Sequence, residues 1–484
     1  MNNEEVSDNR LAYFWQKWLN QHRQEYYLPN LRMCGSHLST TKTPGYKEMA
    51  FVLYNKEMDA SKYGGLTHCH SAWACPKCTA EVMATKSADI ACAIDALKKK
   101  YKQTAIMITF TLPHTSFMTC KDTFQILLNS WRKFSRGGNT KYMSKQKYVL
   151  KNNKGERGKR GGALGVGEAG TVKIYNKGIN PYGEFRSDLG IIHTVRVYEF
   201  TYGENSWHPH IHGLFWVPDE NIDKVLDYEQ KLLDRWWHCI KTESEKYWAK
   251  KLVNKPDILK HVLETTYPDW KKTPTKNGSQ HKSLYISRDK KNPNKVLEAK
   301  SSWYVCGWGA NSEITGKTSH KLKECKNDHL TPYQIITKAF ESQGEEREKY
   351  LRLYAEYAQA TFKHRRCEFS KSGITKIIKE YKQTEEYQKA YKKKVTDQAQ
   401  KWQVVYWFDK QQWRDLLIIE HTSAKYIRAD ILELARAPNP TQLISQFLEK
   451  YFGWDTSPLN PELKKYILNE AKLHYDISVI QASA

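Results

Sequence analysis

The period of apolar and polar residues changes several times along this chain, and each change predicts an element. From Leu11 to Tyr26, Trp15, Trp18 and Leu19 recur at helical spacing. Thr79 to Tyr101 predicts a second helix, ending in Lys98-Lys99-Lys100, and Phe117 to Phe134 a third. Between the last two, Ala105 to His114 alternates. Ile106, Ile108, Phe110 and Leu112 fall on one face, and Met107, Thr109 and Thr111 on the other, as in a strand. Ile191 to Phe200 is rich in Ile, Val and Tyr and predicts another strand. The turn-like Gly203-Glu204-Asn205-Ser206 folds it back on a third, so an antiparallel hairpin is expected. After Pro209, alternation puts His210, His212, Leu214 and Trp216 on one face and Ile211, Gly213, Phe215 and Val217 on the other.

Beyond the hairpin, Glu220 to Trp248 predicts a helix. Val253 to Asn294 is polar and irregular, apart from a short strand at Ser283 to Ser287. Thr331-Pro332-Tyr333-Gln334 has the form of a capping box, with Thr as cap, Pro at the first helical position and Gln three residues after the cap. The helix it opens carries Ile335, Ile336, Ala339 and Phe340 on one side, and Glu345 to Phe362 predicts another. Residues 151–190 are rich in Gly and charge and predict a loop or flexible insertion. Residues 375–484 read as helical and charged, with Lys392-Lys393-Lys394 and a Trp-rich stretch at 402–413. The expected fold is α+β, an antiparallel sheet flanked by helices. Its expected parts are an N-terminal helical and metal-binding segment (1–100), a sheet domain (101–330) and a helical C-terminal domain (331–484).

Composition narrows the partners. Lys and Arg number 77 against 53 Asp and Glu, a formal net charge of +24. That excess favours a polyanion, because neutralising phosphates releases condensed counterions. Thirty Tyr and 16 Trp add rings on which bases of a single strand can stack, although many belong in the core. The N-terminal MNNEEVSDNR is polar and acidic, without an apolar signal segment, and no apolar run reaches the ~18 residues of a membrane span. A cytoplasmic protein with no membrane partner is expected. Ten Cys then read as metal ligands or free thiols in a reducing compartment, not as a disulfide framework.

Four of those Cys fall in the first 78 residues. Cys75-Pro76-Lys77-Cys78 is a tight knuckle that directs two thiolates at one ion, and Cys34 and Cys69 complete a four-sulfur tetrahedron. His37, His68 and His70 are possible substitutes, and the bland alternative is a pair of reduced thiols or a redox pair. A closed site of this kind, holding Zn²⁺, would be structural. On the hairpin, His210 and His212 share a face that Glu199 reaches across the turn. Two imidazoles and a carboxylate make a divalent-metal site with room for a substrate oxygen, whereas a buried His is ordinarily a satisfied core residue. His208 has no assigned role.

His208-Pro209-His210-Ile211-His212-Gly213-Leu214 resembles the His-hydrophobic-His motif of HUH endonucleases, most of all the Rep initiators of rolling-circle plasmids and single-stranded phages. Glu199 to Gly203, Glu-Phe-Thr-Tyr-Gly, is similar to the segment that precedes it there. The strand Ile108-Thr109-Phe110-Thr111-Leu112 resembles the first Rep motif, which runs beside the His strand, and the Cys segment ahead of it also fits the group. Ser301 to Gly309, followed by Glu313-Ile314-Thr315-Gly316, resembles the third motif and puts Tyr304 at the position of the nucleophilic Tyr. His364 to Ile374 is similar to an Arg-rich segment found after the nuclease core. The chain departs from the pattern in having Gly307 where Lys is common and Lys300 where some members place Glu, so no second catalytic acid is assigned.

The resemblance implies an HUH-type sheet and a catalytic Mg²⁺ or Mn²⁺ held by Glu199, His210 and His212. Structural Zn²⁺ on Cys34, Cys69, Cys75 and Cys78 accompanies it. Tyr304 would nick single-stranded or supercoiled origin DNA by transesterification, leaving a 5′-phosphotyrosine and a free 3′-OH primer, with a host helicase and polymerase as partners. Tyr285 competes for the nucleophile's role, but a strand favours its burial. Two other readings fit the same residues. One is a single-strand HUH transposase or a relaxase, although no Walker-type loop of a relaxase helicase is present. The other is a non-catalytic zinc-containing DNA-binding protein.

Overall fold

The computed structural model of the chain describes residues 8–38, 49–56, 59–136, 147–149, 174–176, 180–266, 283–299, 329–388, 402–423 and 425–454. The first third holds α1 (Asp8–Gln21), α2 (Pro29–Arg32), β1 (Ala50–Asn55), β2 (Ala60–Gly64), α3 (Pro76–Tyr101), β3 (Gln103–Thr111) and α4 (Cys120–Ser135). A small pair, β4 (Lys147–Val149) and β5 (Ile174–Asn176), precedes α5 (Pro181–Asp188), β6 (Thr194–Gly203) and β7 (Ser206–Pro218). After a 3-10 stretch (Asp219–Tyr228) come α6 (Glu229–Lys251), α7 (Pro256–Thr266), β8 (Leu284–Ile286), α8 (Pro332–Glu341) and α9 (Gly344–Thr361). The last described elements are β9 (Cys367–Phe369), α10 (Ile374–Lys382), α11 (Glu385–Tyr387), β10 (Trp402–Phe408), α12 (Lys410–Thr422), α13 (Ile427–Leu434) and α14 (Pro440–Phe452).

The expected hairpin forms and is the centre of a five-stranded sheet ordered β8-β3-β7-β6-β9, with every neighbouring pair antiparallel. Register pairs His210 with both Thr111 and Glu199, and His212 with both Thr109 and Val197. Direct partners in an antiparallel ladder point to the same side, so these residues share one face. The opposite face carries Ile106, Ile108, Phe110, Tyr198, Phe200, Ile211 and Phe215, all buried under α4, α6 and α9. Rings meet edge to face there, Phe110 with Trp131 at 5.1 Å and with Trp236 at 5.2 Å, and Phe124 with Phe200 at 5.0 Å. On the imidazole face, α3 and α10 cover only part of the sheet. Ile90, Leu97, Ile374 and Ile378 bury Val195, Val197, Leu214 and Trp216, and the His210 end stays half-buried.

Several elements differ from the sequence reading. α5 and β5 lie inside the stretch expected as a loop or flexible insertion. Asn180 caps α5 by accepting from the Tyr182 N–H, Pro181 occupies its first position, and Tyr182 and Phe185, three residues apart, are buried. Residues 151–173 and 177–179 of that insertion lie outside the described residues. α7 falls in the stretch expected to be irregular. The C-terminal stretch, expected to be helical, supplies β10, which pairs with β1 so that β10-β1-β2 is a second antiparallel sheet. Trp402–Phe408 is rich in aromatic and β-branched residues, which fit a pleated surface. β9, also from beyond residue 330, extends the central sheet. Among the described residues no helix is long and apolar enough to cross a membrane.

The start of α4 shows how the helices are fixed. Thr119 and Asp122 form a reciprocal capping box, and Asp122 also accepts from Tyr247 Oη at 2.5 Å and from Lys251 Nζ at 2.6 Å on α6. Burial would raise the Asp122 carboxyl, but the Lys251, Tyr247 and Thr119 donors outweigh it and hold it below the usual range. Its stabilising contribution is therefore complete above the unfolded value of about 4 and is lost as pH falls through the lower folded value. Asp122→Ala is expected to cost about 1–3 kcal/mol at neutral pH. In urea unfolding, that gap from the parent should narrow below about pH 4.

Candidate metal centres

The first centre is built by a loop, a bend and a helix start. Cys34 and Gly35 sit after α2, with Gly35 in the left-handed region at φ 66°. Cys69 lies in the loop after β2. Cys75 caps α3, Pro76 takes its first position, and Cys78 lies in its first turn. All four sulfurs lie within 4.8 Å of one another, with Cys34 Sγ 3.4 Å from Cys78 Sγ and 3.7 Å from Cys75 Sγ. A tetrahedral zinc with Zn–S of ~2.3 Å sets its sulfurs ~3.8 Å apart, so this donor set fits the ion. None of the four is in a disulfide.

The surroundings suit thiolates. The Cys69 N–H donates to Cys34 Sγ at 3.3 Å, and the Ser71 N–H to Cys69 Sγ at 3.4 Å. Hydrogen bonds within the cluster lower the Cys34 and Cys78 thiols and raise those of Cys69 and Cys75, so the four share protons that a bound cation would displace. Lys77 is buried, and its Nζ has no hydrogen-bond partner among the described residues. Four thiolates around one Zn²⁺ carry a net charge of about −2, and this ammonium offsets part of it. His68 stays at the margin, with Nδ1 3.9 Å from Cys34 Sγ. His37 and His70 are not among the clustered donors.

The second centre lies on the partly covered face of the central sheet. Glu199 Oε2, His210 Nε2 and His212 Nε2 form a near-equilateral triangle with edges of 3.1 to 3.3 Å. An ion ~2.1 Å from each atom would set them ~3.0–3.4 Å apart. The three side chains are 11–21% exposed, enough to leave the far side of such an ion open to a ligand. Glu199 Oε1 and His210 Nδ1 are buried without a hydrogen-bond partner among the described residues. His212 Nδ1 lies 3.0 Å from Oγ1 of the fully buried Thr109, which orients the ring and leaves Nε2 directed at the triangle.

Protonation favours the same use. Burial would raise the Glu199 carboxyl, yet the His212 and His210 imidazoles hold it well below the ordinary carboxylate range. Burial lowers His210 against the pull of Glu199. One anionic oxygen and a neutral imidazole are the forms that bind a divalent ion.

The structure brings two of the sequence-nominated sets together. Cys34, Cys69, Cys75 and Cys78 come together, and so do Glu199, His210 and His212. Tyr304 lies outside the described residues. Tyr285 departs from its expected burial. It is 42% exposed, and its pairing with Thr109, the partner of His212, puts it on the imidazole face at the sheet's edge strand. Its strand neighbours Leu284 and Ile286 point to the aromatic face and are buried, whereas Tyr285 points to the imidazole face, which the described residues cover only in part. His208 shares the face too, its Nδ1 3.3 Å from His114 Nδ1. Lys77, His114 and Thr109's bond to His212 had no distinct sequence signal beyond the alternation that places Thr109.

Elemental analysis is expected to find about one zinc per chain. Cys78→Ser should abolish it and lower the melting temperature, and a zinc-free chain of undiminished stability would overturn the assignment. Titration of free Mn²⁺ by electron paramagnetic resonance tests the second centre. Glu199→Ala should weaken binding at least about 100-fold, and Thr109→Val, which only frees the His212 ring, about 10-fold. Equal affinity in all three proteins would contradict the geometry.

No protein-family model matches the chain, and neither a curated protein nor a solved structure matches it, so its functional reading stands on these two centres and on the residues around them.

Proposed function

We propose that the chain is a metal-dependent, HUH-type DNA strand transferase that initiates rolling-circle replication. The observation that carries this reading is the triangle of Glu199, His210 and His212 donor atoms on adjacent antiparallel strands, with side chains still 11–21% exposed. When bound there, Mg²⁺ or Mn²⁺ would supply Lewis-acid stabilisation of charge on a phosphate oxygen. Glu199 and the two imidazoles fix that position, and Thr109 holds the His212 ring with Nε2 toward the triangle.

The nucleophile in this reading is Tyr304. Its phenol oxygen forms a bond to phosphorus as the bond from phosphorus to the 3′ oxygen breaks. The phenol proton is lost, the 3′ oxygen gains a proton, and a 5′-phosphotyrosine and a free 3′-OH result. The exchange of one phosphodiester for another keeps the bond energy, so the strand can be rejoined without a nucleotide cofactor. A phenol has an ordinary pKa of about 10, so cationic surroundings must favour the phenolate.

Incubation with a random-sequence single-stranded DNA pool and Mn²⁺ should yield a detergent-resistant protein–DNA conjugate, mapped by mass spectrometry to Tyr304. Tyr304→Phe should abolish it, and His210→Ala should slow its formation by about 10³-fold or more. The absence of any conjugate would overturn the proposal. A conjugate on Tyr285 that survives Tyr304→Phe would move the nucleophile to the edge strand.

A further inference from the structure

Beside the cysteine loop lies a groove of about 620 Å³, bounded by α3 and by the segment from Thr361 to Phe369 that leads into β9. Its lining is cationic. Lys86, Lys363, Arg365 and Arg366 contribute four positive charges, and Glu368 is its one carboxylate. Glu368 is already paired with Arg196 of β6. Lys86 is partly engaged, 3.4 Å from Asp89. Lys363 and Arg365 are exposed and have neither a hydrogen bond nor an ion pair among the described residues.

Arg366 is held differently. Its Nη1 donates to the Ala72 carbonyl at 3.3 Å, and its guanidinium lies 5.6 Å from the Trp73 ring centroid. Its Nε is buried with no hydrogen-bond partner among the described residues. Trp73 in turn donates through Nε1 to the His364 carbonyl at 2.7 Å. The cysteine loop and the Arg segment therefore brace each other, and the cations are presented from a fixed wall.

The groove also has a fixed relation to the metal-binding triangle. The Arg366 carbonyl accepts from the Tyr198 N–H at 2.9 Å, one residue before Glu199. Cys367 pairs directly with Val197, and so lies on the same sheet face as His212. A chain of regularly spaced anions that left the triangle across β6 would enter the groove at Arg365.

We propose that this groove seats the phosphodiester backbone of the single DNA strand whose scissile linkage lies at Glu199, His210 and His212. The proposal rests on the nuclease reading for the identity of the strand. The groove has the volume of a pocket for one drug-sized molecule, so it takes roughly one or two nucleotides, not a length of duplex. Guanidinium and ammonium groups with no ion pair among the described residues match phosphate oxygens, and the Lys363 ammonium, now 5.3 Å from the Phe362 ring centroid, can turn from that ring to a phosphate.

The test is fluorescence anisotropy of a labelled oligothymidylate with the full zinc-loaded chain, without Mg²⁺ or Mn²⁺. Lys363→Gln with Arg365→Gln should weaken binding about tenfold or more. It should also flatten the slope of log affinity against log salt by about 1.4, two contacts at ~0.7 each. Lys224→Gln with Lys231→Gln, on exposed residues outside the groove, should change affinity less than about twofold. Unchanged affinity in the groove variant, or an equal loss in the control variant, overturns the groove while leaving the nuclease reading intact. A parent that binds through the groove but never forms a conjugate supports the groove and overturns the nuclease reading.

Discussion

The register of β7 against β3 and β6 is the constraint on which the rest of this structure depends. Because side chains alternate along a strand, a slip of one residue would send His210 and His212 into the aromatic layer and turn Ile211 and Phe215 toward solvent. The fully buried Phe110, Ile211 and Phe215 and the rings of Phe124, Phe134 and Trp236 make that slip prohibitive. Each large buried apolar side chain is worth about 1.5–3 kcal/mol. The site is thus positioned from behind. Apolar packing on one face decides where three polar atoms meet on the other.

The cysteine cluster is held by a second and more costly device. Arg428, from α13, is 3% exposed, pairs with Glu420, and donates to the Gly35 carbonyl at 3.0 Å and to Ser36 Oγ at 3.2 Å. Trp413 donates to the Ser36 carbonyl at 2.8 Å, and Gln16 to the Cys34 carbonyl at 2.6 Å. Removing one partner of a buried ion pair of this kind typically costs 3–5 kcal/mol. The β1–β10 pairing joins residues 347 to 358 positions apart, so the last described helices act as the clamp on a loop near residue 35. A role for the C-terminal region, unassigned from its sequence, follows from this contact.

Much of the triangle was legible because it depends on alternation and one turn. Thr109, His210 and His212 lie where a period of two puts them, and the turn Gly203-Glu204-Asn205-Ser206 closes the hairpin, with Ser206 in the left-handed region at φ 72°. The capping box at Thr331 and Gln334 formed as written, because it needs only residues three apart. What escaped was non-local. β9 is three residues long and gains its identity only from β6. β10 is an apolar run that alternation cannot separate from a buried helix, and it becomes a strand by pairing with β1. α5 was masked by Gly183, although Asn180, Pro181 and the Tyr182–Phe185 pair are a sufficient start signal once glycine is given less weight. Tyr285 was misjudged because burial was inferred from being in a strand, whereas the face decides it: Leu284 and Ile286 are buried and Tyr285 between them is not.

The two centres differ in charge balance, and that difference separates their roles. A zinc ion with four thiolates is coordinatively closed, and Lys77 supplies a buried counter-charge, so nothing further is called for. The triangle has one carboxylate and two imidazoles. A divalent ion there would keep a net charge of about +1 and unfilled positions. Such a centre attracts an anionic oxygen from outside the chain, and the unpaired Lys363 and Arg365 one strand away extend the same preference along the surface. The formal charge of +24 matters less than this placement. Cations such as Lys98 with Asp219 and Arg436 with Asp59 are held in ion pairs elsewhere, whereas Lys363 and Arg365, without an ion pair among the described residues, line the groove beside β9.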